Sequence, residues 1–184
     1  MTLPLTHHSA LSRPDLLAPP VAAALRALPR ADQVRVAAID PALSDTAQFC
    51  EAYGITLEES VNCVVIVAKR GGDVTYAACM VAATTRANVN GLVRQHLGAR
   101  KASFGPVDTV TALTGMEYGG ITPVGLPADW RILVDDLVAK SPNVVIGAGL
   151  RGAKLWLPGS LLAELPGAEI LPGLGLGVET GQAG

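Results

Sequence analysis

Two apolar, β-branched runs, Val61 to Ala68 and Val74 to Ala82, are separated by Gly71-Gly72-Asp73. A glycine pair ending in aspartate between such runs is the signature of a tight antiparallel hairpin. This constrains the fold more than any other stretch. Strands joined by so short a turn cannot belong to a β-α-β series, because a parallel crossover needs a dozen residues or more. Further short runs, Gln33 to Ile39, Ile132 to Val134, Val144 to Ile146 and Leu155 to Leu157, alternate with helical patterns. Helices are expected over Val21 to Leu28, Thr46 to Tyr53, Asn88 to Leu97, Pro106 to Leu113 and Pro158 to Leu165. Gly54 and Gly98 follow two of them as C-terminal stops. Thr56-x-x-Glu59 has the form of a capping box. The class is α+β with a mixed sheet. Hydrophobic residues make up 49% of the 184-residue chain, enough to fill one domain's core, and aromatics only 4%, so that core is aliphatic.

The segment Thr114 to Pro127 holds four glycines and two prolines with apolar residues threaded between them. Glycine permits positive φ and close approach, and proline fixes φ and removes a donor. The pattern is that of a shaped, partly buried loop able to aim backbone amides at a ligand. Gly147-Ala148-Gly149-Leu150-Arg151-Gly152 fits a dinucleotide-binding glycine pattern, but its context does not. A strand, Lys154 to Leu157, follows where that fingerprint needs a helix. The turn is read instead as a bend or pocket lining.

Cys50, Cys63 and Cys79 lack metal-ligand or redox spacing and read as free buried thiols. His7, His8 and His96 form no metal set with them, and neither a cofactor nor a metal is called for. No apolar run is long enough to span a bilayer, and Met1 to Arg13 lacks the basic start and apolar block of a secretory signal. A cytoplasmic location is expected. Net charge is −2, yet between Lys69 and Lys101 six basic residues face one acid, Asp73. Such a cluster suits phosphates; it equally suits an ordinary solvated surface.

The glycine–proline loop also carries a resemblance. Thr114-Gly115, Gly119-x-x-x-Pro123 and Gly125 resemble the signature loop of the YbaK / prolyl-tRNA-synthetase-associated editing domains. Leu97 to Lys101, Ile132 to Asp135, Val144 to Gly152, Leu161-Leu162 and Ala168 fall in that family's order, so the likeness runs from about Thr56 to Ile170. It implies a single domain whose mixed, barrel-like sheet is surrounded by helices. The divisions expected are an N-terminal arm with one short helix over 1–32, the editing domain over 33–172 and a glycine-rich flexible tail over 173–184.

The activity implied is metal-free hydrolysis of the ester on a mischarged tRNA, helped by the substrate's own ribose hydroxyl. With no synthetase body alongside, action in trans is expected, with tRNA and a synthetase as partners. The tRNA for proline carrying a small wrong amino acid is the implied substrate. Catalytic candidates are Gly119 and Gly120, as oxyanion donors, with Asn62 and Asp135. Substrate-binding candidates are Thr122, Pro123, Lys101, Arg86, Gly147, Gly149 and Arg151. The family usually has lysine where this chain has Asn62. That departure keeps open a second reading, a non-catalytic module of the same fold that binds an aminoacyl group, a nucleotide or tRNA. Lys101 is the residue expected to supply the missing cation.

Overall fold

The computed structural model describes residues 1–178. The hairpin is its longest feature. Strands β3 (Val61–Arg70) and β4 (Asp73–Ala82) pair over ten positions, from Val61 opposite Ala82 to Arg70 opposite Asp73. The turn narrows to Gly71 and Gly72, with Gly71 at φ 62°, a conformation that glycine adopts without strain. Strand β6 (Lys101–Phe104) adds antiparallel to β3. On the other side β7 (Arg131–Val134) and β10 (Ala168–Ile170) add in parallel to β4. These five make a mixed sheet ordered β10-β7-β4-β3-β6.

A second sheet is antiparallel throughout and runs β1 (His8–Ser9), β2 (Arg35–Ala38), β9 (Ala153–Leu157), β8 (Val144–Gly147). The two meet at one parallel bridge, Ser60 to Val145. They meet as a corner within the mixed, helix-surrounded frame that the sequence led us to expect, and among the described residues no continuous ladder closes it into a complete barrel.

The period-2 alternation of strands explains how an aliphatic chain fills this frame. Met80, Ile132, Val134, Val144, Ile146, Leu155 and Leu157 point into one central core. Their sequence neighbours point the other way. Val145 and Trp156 meet Phe49 of α2 (Thr46–Tyr53). Cys79, Val81 and Leu133 meet Val89, Val93 and Leu174. Both faces of the inner strands are therefore buried, which is why the hairpin reads as nearly continuous apolar sequence.

Helices α1 (Pro19–Ala27), α2, α4 (Val107–Thr114) and α6 (Gly159–Ala163) fall where the helical patterns lie, to within a few residues. The expected helix over Asn88 to Leu97 is a π-turn, Val89–Val93, that tightens into α3 (Arg94–His96). At its start Asn88 Oδ1 accepts the Gly91 N–H. Thr56 and Glu59 exchange the reciprocal bonds of a capping box, but around a turn and not a helix.

The N-terminal 32 residues are no loose arm. Ala10, Leu17, Ala18, Val21 and Leu25 are buried in the central core. Pro19 and Pro20 open α1 at positions whose N–H groups need no intrahelical partner. Nor is the start of the tail free. Strand β11 (Gly175–Gly177) pairs with β5 (Thr85–Ala87), and the rest of the expected flexible tail, from 179 on, lies outside the described residues. No helix among the described residues is long and apolar enough to cross a membrane.

Candidate active site

The glycine–proline loop contributes Tyr118, Gly119 and Ile121 to the wall of a cavity of about 270 Å³ near the corner where the sheets meet. Asn62 of β3, Gly119 of the loop and Gly147 at the end of β8 line it. So do Ser44 and Lys154, which the sequence reading did not single out.

Glycines hold this loop by close approach. A Cβ on Gly147 would stand 2.4 Å from the Gly120 carbonyl oxygen and 2.6 Å from that of Ile121. One on Gly120 would stand 2.6 Å from the Leu150 carbonyl. The turn after β8 is thus locked to the loop, and its own bonds complete the lock. Gly149 N–H donates to the Gly120 carbonyl at 2.7 Å, and Glu117 N–H donates to the Gly149 carbonyl at 2.8 Å. Because β9 returns antiparallel to β8, the G-x-G-x-x-G motif is a hairpin turn and not a dinucleotide cradle.

These contacts separate the two oxyanion candidates. Gly120 N–H is committed to the Glu117 carbonyl at 3.0 Å. Among the described residues none accepts from Gly119 N–H. Gly119, at φ 84°, faces the cavity with its donor unspent.

Arg151 braces the loop from behind. Its Nε donates to the Pro41 carbonyl at 2.9 Å, its backbone N–H donates to Glu117, and its guanidinium lies over the Tyr118 ring. Gly149 packs against Ala18 of the N-terminal segment. Arg151 and Gly149 therefore shape the loop, and neither lines the cavity.

Asn62 Oδ1 accepts from Thr46 Oγ1 at 2.8 Å, a bond that leaves the amide's N–H donors unused. Cys63 also lines the cavity, but burial pushes its thiol well above the ordinary range. It stays protonated at neutral pH and is no nucleophile.

Lys154 reaches in from β9. Its Nζ donates to the Ser44 carbonyl at 3.2 Å and sits 5.3 Å from the centre of the Phe49 ring. Burial lowers its pKa, and the nearby Arg151 charge adds to this. Ser44 is 2% exposed, and its hydroxyl has no hydrogen-bond partner.

Other expected site residues lie elsewhere. Asp135 is 5% exposed and is structural. Its Oδ1 caps α5 (Asp136–Lys140) by accepting the Leu137 N–H at 2.9 Å, and its Oδ2 accepts the Gly175 N–H at 2.7 Å. Thr122 is fully buried with an unpartnered hydroxyl. Pro123 lines a separate apolar crevice beside α1. Arg86 lines a larger cleft of about 700 Å³ that shares Asn62 with the first cavity. Lys101 lies away from the cavity, in a groove with Lys69, Arg94 and Arg100. It cannot be the cavity's cation. Among the described residues, no three His, Cys, Asp or Glu side chains gather as a metal site.

Residues 40–165 match the model of the aminoacyl-tRNA editing domain. The chain belongs to that family. Solved structures agree at the level of fold. The editing domain is similar to a candidate trans-editing enzyme for prolyl-tRNA synthetase, at 23% identity over 87% of this chain and 97% of that one, with a TM-score of 0.72. A scaffold from work on computational epitope backbone grafting gives 21% identity over the same shares and a TM-score of 0.73. A hypothetical protein gives 22% over 78% and 91%, with a TM-score of 0.68. The matched segment begins at Asp40, whose carboxylate accepts the Ala42 N–H and so shapes the turn that carries Ser44. Lys154 left a faint signal in the sequence, a lone cation in an otherwise apolar strand.

Proposed function

We propose that this editing domain is a trans-acting deacylase that hydrolyses the ester of a mischarged tRNA, with the tRNA for proline carrying a small wrong amino acid as its substrate in the cytoplasm. The observation that carries the reading is the cavity under the glycine loop. It is lined by Gly119, whose N–H has no acceptor among the described residues, and it shares Asn62 with a larger cleft. An aminoacyl group fits the first space and a terminal nucleoside the second.

The groove beyond suits the phosphates. Lys69 stands directly opposite Lys101 across β3 and β6. Like charges so placed destabilise a sheet, and a polyanion lying along them would offset that repulsion. Among the described residues, no carboxylate forms an ion pair with Lys69, Arg94, Arg100 or Lys101. The trans-editing neighbour supports action apart from a synthetase.

Asn62 favours a second reading, a binding module without turnover, since an amide carries no charge. Deacylation of a panel of mischarged tRNAs, including alanyl- and cysteinyl-tRNA for proline, separates the two. Release by the wild-type protein well above spontaneous hydrolysis supports the deacylase. No release by wild type, with activity gained in Asn62→Lys, supports the binding module. Silence from both sinks the deacylase for these esters.

A further inference from the structure

We propose that Lys154, together with Ser44 and the Gly119 N–H, forms the site that receives the carbonyl oxygen of the bound ester and stabilises its negative charge during hydrolysis. The inference rests on the deacylase reading above and assigns the chemistry within that cavity.

Three observations converge. Lys154 lines the cavity, and among the described residues no carboxylate lies within ion-pairing distance of its ammonium. One of its three donors is spent on the Ser44 carbonyl, and the Phe49 ring face supports the charge from the side. Ser44 lines the same cavity, and its Oγ is almost wholly buried with nothing to bond. A Cβ placed on Gly119 would stand 3.0 Å from that oxygen, so the hydroxyl and the loop are neighbours.

A buried hydroxyl without a partner and a half-buried cation with no carboxylate in direct contact each cost free energy in the free protein. Asp45 lines the same cavity and attracts the Lys154 charge from a distance, while its ion pair, at 3.6 Å, is with Arg151. A space bounded by a cation, a hydroxyl and a backbone N–H is complementary to an oxygen that gains negative charge. Burial strengthens this complementarity, because an ammonium removed from water exerts a larger field on a neighbour than a solvated one.

The reaction balances without any further reagent. The oxygen of a water bonds to the ester carbonyl carbon, and the carbonyl oxygen becomes the oxyanion held by the three donors. The carbon–oxygen bond to the ribose then breaks. One water proton passes to the departing ribose oxygen and the other to solvent, leaving a free amino-acid carboxylate and an intact tRNA hydroxyl. Lys154 reaches the cavity from β9, whereas Asn62 lines it from β3. The charge absent at Asn62 is thus supplied from a different strand.

The test is Lys154→Met, alone and combined with Asn62→Lys. Methionine keeps the length of the stem and removes an unpaired buried charge, so thermal stability should hold or rise. Wild-type turnover comes first, on the tRNA panel. Given turnover, the expected result is a fall in kcat of about 100-fold in Lys154→Met with KM little changed, as for loss of one oxyanion donor. Asn62→Lys in that background should recover most of it.

Lys154→Met with kcat within about threefold of wild type overturns the proposal while leaving the deacylase standing. So does a fall in stability that accounts for the lost activity. Without wild-type turnover the deacylase reading fails, and the site is judged by binding of a stable 3′-amide analogue of alanyl-adenosine. Affinity at least tenfold weaker in Lys154→Met supports the assignment to Lys154. Equal affinity, or no binding by either protein, overturns it.

Discussion

Replacing Asp135 decides between the role its sequence position suggests and the role its surroundings give it. Its two oxygens have separate duties. Oδ1 caps α5 through the Leu137 N–H, and Oδ2 takes the Gly175 N–H and so ties strand β11 to the end of β7. Loss of a helix cap costs about 1 kcal/mol. Loss of the acceptor for Gly175, whose amide is partly buried, costs about 1–2 kcal/mol more.

Asp135→Ala should therefore destabilise the protein by about 2–3 kcal/mol. In a domain of this length that lowers Tm by roughly 4–12 °C. Asp135→Asn keeps an oxygen for Leu137 but turns an amine toward Gly175, so it should lose only the second part. Because Asp135 does not line the cavity, kcat measured well below either melting point should stay within about twofold of wild type. Denaturant melts followed by circular dichroism, paired with single-turnover deacylation at 20 °C, read both quantities. A stable Asp135→Ala protein whose kcat has collapsed would refute this assignment and return the carboxylate to the chemistry.

Other outcomes follow from the same contacts. Gly147→Ala drives a Cβ into the Gly120 and Ile121 carbonyls; overpacking of this kind should cost about 1–3 kcal/mol and lower kcat more than Tm alone explains, as measured by parallel melts and turnover. Arg131 and, to a lesser degree, His96 bond Glu169 and hold its carboxylate below the ordinary range. A depressed folded-state pKa gives stability that is present above the unfolded value and lost as pH falls through the folded one. Glu169→Gln should thus cost about 0.5 kcal/mol at pH 7, the size of an exposed pair, and nothing once the wild-type carboxyl is itself protonated; melts from pH 7 to pH 2 show the convergence. Lys101→Ala relieves the facing charge of Lys69, so it should leave stability equal or a few tenths of a kcal/mol higher. The same variant should bind tRNA more weakly and reduce the slope of log affinity against log salt by about 0.7, measured by filter binding over a salt series.

Local physics made much of this protein legible from its residues. The hairpin was readable because Gly71-Gly72 between β-branched runs admits few alternatives, and the ten-residue register followed from it. Helix stops at Gly54 and Gly98 were readable because left-handed backbone selects glycine. The editing family was readable because its signature loop is written in glycines and prolines, residues that backbone shape requires. What the residues could not disclose depended on partners distant in the chain. Strand β6 carries two polar residues in four and exists because β3 offers it an edge. Residues 1–32, rich in proline, read as an arm, but Ala10, Leu17, Ala18, Val21 and Leu25 of that segment are core, since the face they cover belongs largely to strands more than a hundred residues later. Asp135 was expected among the catalytic residues at the end of an apolar run, but the strand ends at Val134 and Asp135 caps a helix.

The cavity's cation shows the division most clearly. By sequence the charge was missing at Asn62, and Lys101 was the residue of the basic cluster expected to replace it. Only the tertiary structure sets Lys101 on the outer groove and brings Lys154, 92 positions from Asn62 by the numbering, to the same small space. Composition and pattern determine which segments must be buried and how each runs. Which side chains then face one another across a cavity is decided by the packing of two sheets at a corner, and no property of either strand alone records it.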